Sequence, residues 1–284
     1  MYTSNTETMS IKELQKIEYN LLKELTDFLE IKQLSYILCG GTMLGAVRHD
    51  GFIPWDDDVD ILMPREDYDK LLNMIKNGAD YPPKMKIYLP GDDDHLYPFI
   101  KACDTRYRCV DDRFRSDIPF YVWIDVFPLD HFPDELSAHR KVLRRVSFYR
   151  MILLSGIMSS EVWKKRAKGN LVVRSRHLLA FLVFILMGRH PRISKKIDSY
   201  ARKMNYKYIT SNHVGDGAWP NGMKDYFELK DVKPVMKHKF EDAEFNIPVN
   251  YDSYLTQFYG NYMRIPPENE REDHHISVYK VENK

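Results

Sequence analysis

Residues 39–61 read CGGTMLGAVRHDGFIPWDDDVDI, and the apolar pair Leu62-Met63 follows directly. An acidic run that feeds an apolar one is a strong constraint, because a chain seldom buries what it has just charged. The spacing predicts a strand over Asp58 to Met63. Side chains at i and i+2 of a strand share a face, so Asp58 and Asp60 lie side by side, with Asp56 placed to join them at the strand's entrance. Crowded carboxylates are unfavourable unless a cation neutralises them. Oxygen ligands suit a hard divalent ion such as Mg²⁺, held by one or two carboxylates plus substrate phosphates; Mn²⁺ takes the same donors. The preceding Gly40-Gly41-Thr42 turn lets the backbone approach a phosphate closely and offer it N–H groups. Metal and phosphate together point to phosphoryl or nucleotidyl transfer.

Other phosphate and metal motifs are excluded by their spacing. No GxGxxG or GxxxxGK[ST] surrounds Gly40-Gly41, which argues against a dinucleotide fold or a P-loop. An EF-hand loop fails because Ile61 stands where it needs glycine. Asp92-Asp93-Asp94, behind Pro90-Gly91, reads as a solvated turn.

The 284 residues suit one large domain, or a domain carrying an insertion. Forty-two basic against 41 acidic residues leave a net charge of +1. No global field draws the protein to nucleic acid, so any basic patch is local. Cys39, Cys103 and Cys109 form no CxxC pair, which fits a reducing cytoplasm and neither a disulfide frame nor a zinc module. The N-terminal segment MYTSNTETMS has no apolar core of the kind a signal peptide carries. No run reaches the roughly 20 apolar residues that span a bilayer.

Along the chain, Ser10 and Glu13 form a capping box that opens a helix over 10–33, with Ile11, Leu14, Leu21, Leu25 and Phe28 at helical spacing. Tyr36 to Cys39 reads as a short strand, and Thr42 to Arg48 as a helical turn. A further helix lies between Pro64 and Gly78. Strand-like runs follow at Met85–Leu89, Tyr97–Cys103, Tyr107–Val110 and Tyr121–Phe127. The expected fold class is α/β (α+β): a mixed sheet flanked by helices. One body is expected over 1–133 and 207–284. The intervening 134–206 is basic and reads as a mostly helical insertion. Within 142–196 two readings stand: helical core with snorkelling Lys and Arg, or peripheral contact with an anionic membrane surface. Residues 210–224 are polar and rich in turns, and a short helix is expected near 251–259.

A two-metal centre wants a third carboxylate. Asp125 fits best, because a lone charge inside YVWIDVF would cost several kcal/mol without a partner or ion; the alternative is a charge pair with a nearby Arg. Arg48 and Lys101 are candidate phosphate clamps, the first able to bind bidentately and the second as a point charge. The adjacent His274-His275 cannot both face one site on a regular element, and a tail contact is the simpler reading. Some of the many aromatic residues, Tyr121, Trp123 and Trp219 among them, could box a cationic ligand.

The run GGTMLGAVRHDGFIPWDDDVDI resembles the signature of the LicD family, bacterial phosphocholine transferases related to fukutin. The likeness continues at WIDVFPLD (123–130) and IPVNYDSYLTQFYGNYMRIPP (247–267). It implies a nucleotidyltransferase-like fold, with Gly40, Gly41 and Thr42 at the donor phosphates. It implies Asp58, Asp60 and Asp125 as the Mg²⁺-binding catalytic triad, with Asp125 also a general base. The donor would be a CDP-alcohol, CDP-choline above CDP-ribitol or CDP-glycerol. The acceptor would be a hydroxyl of a cell-surface glycan, lipopolysaccharide or teichoic acid, or of its lipid-linked precursor. The expected location is cytoplasmic, on the inner face of the membrane. The alternatives are a nucleotidyltransferase that releases pyrophosphate and a catalytically silent binding protein on the same scaffold.

Overall fold

A computed structural model describes residues 8–114, 120–166, 168, 170–271 and 276–281. His274 and His275 lie outside the described residues. The fold is α+β: a mixed sheet with helices packed against it.

Helix α1 (Ile11–Ile31) opens on the capping box: the Ser10 hydroxyl accepts from Glu13 N–H, and the Glu13 carboxylate accepts from Ser10 N–H. Strand β1 (Ile37–Leu38) runs straight into α2 (Gly40–His49). The Gly-Gly pair is thus the first turn of a helix rather than a loop ahead of one. Strand β2 (Asp60–Pro64) leads into α3 (Arg65–Lys76). It starts two residues later than the sequence predicts, so Asp58 sits in the loop that delivers the strand. After β3 (Met85–Tyr88), the expected runs Tyr97–Cys103 and Tyr107–Val110 join in one strand, β4 (Ile100–Val110), which starts three residues later than the first run and carries a register shift between Asp104 and Arg108. Strand β5 (Phe120–Phe132) extends five residues beyond the predicted YVWIDVF.

Four helices follow: α4 (Leu136–Ile157), α5 (Ser160–Arg166), α6 (Leu171–Leu186) and α7 (Arg189–Lys207). The chain then returns through β6 (His213–Asp216), β7 (Phe227–Glu228) and α8 (Leu229–Val232). A hairpin of β8 (Val235–Phe240) and β9 (Ala243–Pro248), helix α9 (Tyr251–Tyr259) and edge strand β10 (Ser277–Lys280) complete it. The main sheet runs β1-β2-β5-β4-β10, with β3 also on β4 and β6-β7 on β5; among the described residues only β2 and β5 pair in parallel.

Strand β5 alternates as a two-faced strand must. Val122, Ile124 and Val126 are fully buried, whereas Trp123, Asp125 and Phe127 look into a cavity. The main core gathers Leu22, Leu25 and Leu29 of α1 with Leu38, Met43, Ile61, Val126, Phe240 and Phe245. A second cluster joins Val146, Ile152 and Leu153 of α4 to Phe184, Ile193 and Ile197, and reaches Leu96 ahead of β4. Buried Arg65 fastens the helices to the sheet. Its guanidinium grips Asp130 of β5 at 2.6 and 2.7 Å and Asp198 of α7 at 2.7 Å.

Candidate active site

The site is built on strand register. Asp60 on β2 pairs with Asp125 on β5, and Asp125 pairs with Lys101 on β4. Residues paired across adjacent strands point to one face, so Asp60, Asp125 and Lys101 form a row. Lys101 Nζ lies 2.6 Å from Asp125 Oδ1, and both residues are buried. The charge partner foreseen for Asp125 as an Arg is therefore this lysine.

Helix α2 aims its N-terminus at the same row. Gly40 takes φ +54°, and a Cβ there would stand 2.9 Å from Asp60 Oδ2. A Cβ on Gly41 would collide with the Asp56 carboxylate. The open faces of both glycines are thus turned to the protein's own carboxylates, which the positive end of the helix dipole favours. Buried Thr42 uses its hydroxyl to accept Asp60 N–H at 2.9 Å, fixing where β2 begins. From below, Gln15 of α1 donates to Ile53 O and Asp56 O at 3.0 and 2.9 Å and so holds the acidic loop. Arg48 points toward the C-terminal part of the chain: its guanidinium donates to Tyr262 O at 2.7 Å, and it is not among the cavity's lining residues.

The field here is strongly negative. Burial, then Asp58, Asp125 and Asp56, push the Asp60 carboxyl well above its usual range, opposed by Lys101. Buried Glu18 of α1 is raised too, by burial first and then by Asp58, Asp57 and Asp56. Such a site draws in a cation. Among the described residues no three His, Cys, Asp or Glu side chains already close around one ion. The donor set still fits Mg²⁺, which typically takes one or two carboxylates and completes its shell with phosphate and water.

Asp58, Asp60 and Asp125 form one wall of a cavity of about 460 Å³. Its other walls are aromatic and cationic. Lys101 Nζ lies over Trp123 at 4.1 Å and Tyr97 at 4.5 Å from the ring centroids. Arg150 of α4 stacks on Trp219 at 3.9 Å, and Leu154 and Met158 extend that side. Arg113, paired with Asp111 at 2.6 Å, also lines it.

Trp219 is held by two buried acids, Asp216 inside the turn-rich 210–224 and Asp225 just past it. Asp216 accepts the N–H groups of Ala218 and Trp219 at 2.8 and 2.9 Å, and Asp225 accepts that of Asn221. Burial pushes Asp216 up to about 8, helped by Asp225. Burial likewise raises Asp225, to about 6. The signal available in sequence was Gly215 and Gly217 around Asp216: a Cβ on Gly217 would press into the Asp130 carboxylate. Asp92-Asp93-Asp94 is the surface turn expected, with Asp94 pairing Lys86 at 2.8 Å.

Residues 33–137 match the model of the LicD/FKTN/FKRP nucleotidyltransferase domain. These residues are a LicD-family domain. The match spans Gly40 to Asp125 and so includes the whole carboxylate row. The chain is also 29% identical over 271 residues to the lipopolysaccharide cholinephosphotransferase LicD of Haemophilus influenzae, covering 94% of this chain and 97% of that one. An uncharacterised protein of Rickettsia typhi is 33% identical over 116 residues, 39% of this chain and 37% of its own. The LicD-like stretch supplies β1, α2, β2, β4 and β5. The opposite cavity wall, with Arg150 and Trp219, comes from beyond it.

Proposed function

We propose that this protein is a Mg²⁺-dependent phosphotransferase that moves phosphocholine, or a related phospho-alcohol, from a CDP-linked donor to a hydroxyl of a cell-surface glycan or its lipid-linked precursor. The observation that carries the reading is the Asp60–Asp125–Lys101 row. It sets paired carboxylates and a cation at one wall of a cavity in a chain similar along nearly its whole length to a cholinephosphotransferase.

In this reading the acceptor oxygen attacks the phosphorus that bears the alcohol, forming a new P–O bond as the bond to CMP breaks. Asp58 and Asp60, with the donor phosphates, would hold Mg²⁺, which would offset charge on the attacking and leaving oxygens. Asp125 takes the proton of the attacking hydroxyl as general base. Lys101, locked to Asp125 by strand register, keeps that carboxylate aimed along the row. The α2 N-terminus with Gly40, Gly41 and Thr42 faces the diphosphate, and Lys101 offsets its charge. The location that suits this reading is the cytoplasmic face of the membrane.

The test incubates the protein with CDP-choline, CDP-ribitol and CDP-glycerol in turn, with Mg²⁺ and with or without lipopolysaccharide or lipid-linked glycan. Acceptor-dependent CMP release, largest from CDP-choline and lost in Asp58→Ala and Asp60→Ala, is the expected result. Pyrophosphate release from CTP with no CMP from any CDP-alcohol would replace this reading with conventional nucleotidyl transfer.

A further inference from the structure

Helix α6 inverts the pattern of a surface helix. Such a helix turns its apolar stripe inward. Of the 16 residues of α6, only Ala180 and Phe184 are buried. Leu171, Leu178, Leu179, Leu182 and Leu186 stand out to solvent, at 77, 60, 64, 49 and 84% exposure. At 100° per residue these five share one side, and no charge interrupts 177–186 on it.

The presentation is built in. Phe184 seats on Gly156 of α4, where any Cβ would strike its ring, so α6 is pinned with its leucines outward. Phe148 and Met151 of α4, the helix that seats α6, are also exposed, at 49 and 43%. The charges along this stretch of chain are almost all of one sign. From 136 to 196 there are fifteen Lys and Arg residues and a single acid, Glu161, whereas the rest of the chain holds 27 basic and 40 acidic residues. Arg174 and Arg176 sit in the first turns of α6, and Arg189 and Arg192 lie just past its end. A helix of this length, about 24 Å at 1.5 Å per residue, is too short to cross a bilayer but long enough to lie in its surface.

We infer that α6 is an in-plane docking helix for an anionic lipid bilayer, its leucine face sunk among acyl chains and the flanking Arg and Lys on the headgroups. The occupant follows from the pairing of an apolar face with flanking chain whose charges, over 136–196, are nearly all basic. A second copy of this surface would set like charges against each other. The inference does not rest on the proposed reaction. The two meet at α4, which seats α6 through Gly156 and lines the cavity through Arg150 and Leu154.

Flotation of the full chain with phosphatidylcholine vesicles, with and without phosphatidylglycerol, tests it. The protein is expected to float with the anionic vesicles. The variant Leu178→Gln/Leu182→Gln/Leu186→Gln is expected to partition at least about tenfold less while keeping the wild-type melting temperature, since these side chains are exposed. CMP release to a water-soluble acceptor should be the same for both. Failure of the wild type to float, equal flotation on neutral vesicles, or equal flotation of the variant would overturn the inference. So would a solution dimer that the variant converts to monomer without changing flotation.

Discussion

A glycine at the second position of a helix normally weakens it, and Gly→Ala there strengthens the helix by up to about 1 kcal/mol. Gly41 is placed to show the opposite effect on function. An added methyl group would displace the Asp56 carboxylate. Gly41→Ala should therefore keep or slightly raise the melting temperature while kcat/KM falls at least about tenfold, a loss of about 1.4 kcal/mol. Lys101 gives a sharper contrast. Removing one partner of a buried ion pair typically costs about 3–5 kcal/mol, and Lys101 and Asp125 are 5 and 9% exposed. Lys101→Met should lose stability on that scale in urea denaturation, and adding Asp125→Asn should recover part of it. Asp216 predicts a pH effect. Its folded carboxyl titrates near 8, against about 4 when unfolded. The folded state holds the extra proton, so its contribution is present in full below about pH 4 and is lost as pH rises through 8. Asp216→Asn can still accept both backbone N–H groups on one oxygen. Thermal melts should show it near wild type at pH 4 and more stable by roughly 1 kcal/mol or more at pH 9.

At the scale of elements, Arg65 is the fastener between sheet and helices. It joins α3 to Asp130 of β5 and Asp198 of α7, with Asp69 at 3.5 Å. Arg65→Lys loses the fork that meets Asp130 through two nitrogens, and Arg65→Met strands buried carboxylates. Both should lower the urea midpoint, the Met variant by about 3–5 kcal/mol of stability. The elements legible in sequence were those with local signals. The Ser10–Glu13 box announced α1, and Pro64 with Gly78 bracketed α3. What escaped depended on partners far along the chain. Asp104 to Arg106 separates two strand-like runs in the sequence, yet β4 continues through it with a register shift because β5 pairs with the strand before and after it and β10 pairs beyond it. The β8–β9 hairpin was hidden because its turn uses Glu241 at φ +57° where a glycine would signal it. The carboxylates of the site were legible because charges beside Ile61 and within YVWIDVF contradict their surroundings. Lys101 was legible as a charge, but its lock on Asp125 exists only once β4 and β5 are in register. Asp216, between Gly215 and Gly217, and Asp225, just past the turn-rich 210–224, were not legible, since such residues look like any exposed turn until the tertiary fold buries them.

At the scale of the whole molecule, the main core and the α4–α7 cluster both pack on one sheet, and residues packed against each, Phe127 and Trp219, line the cavity. Its acidic wall comes from the LicD-family domain, its far wall from α4 and the loop at Trp219. The row Asp60–Asp125–Lys101 is spaced by backbone hydrogen bonds, with adjacent strands about 4.8 Å apart. The site therefore does its counting in whole residues. Two residues inserted in the loop 77–84 only lengthen a surface connection, which costs less than about 1 kcal/mol; melting temperature and CMP release should hardly change. One alanine inserted between Asp60 and Ile61 turns a two-faced strand inside out, and both should be lost. Homologous chains can thus differ greatly in length between the strands of this sheet while permitting no insertion or deletion within β2, and aligned gap positions would map the active site before any ligand is seen.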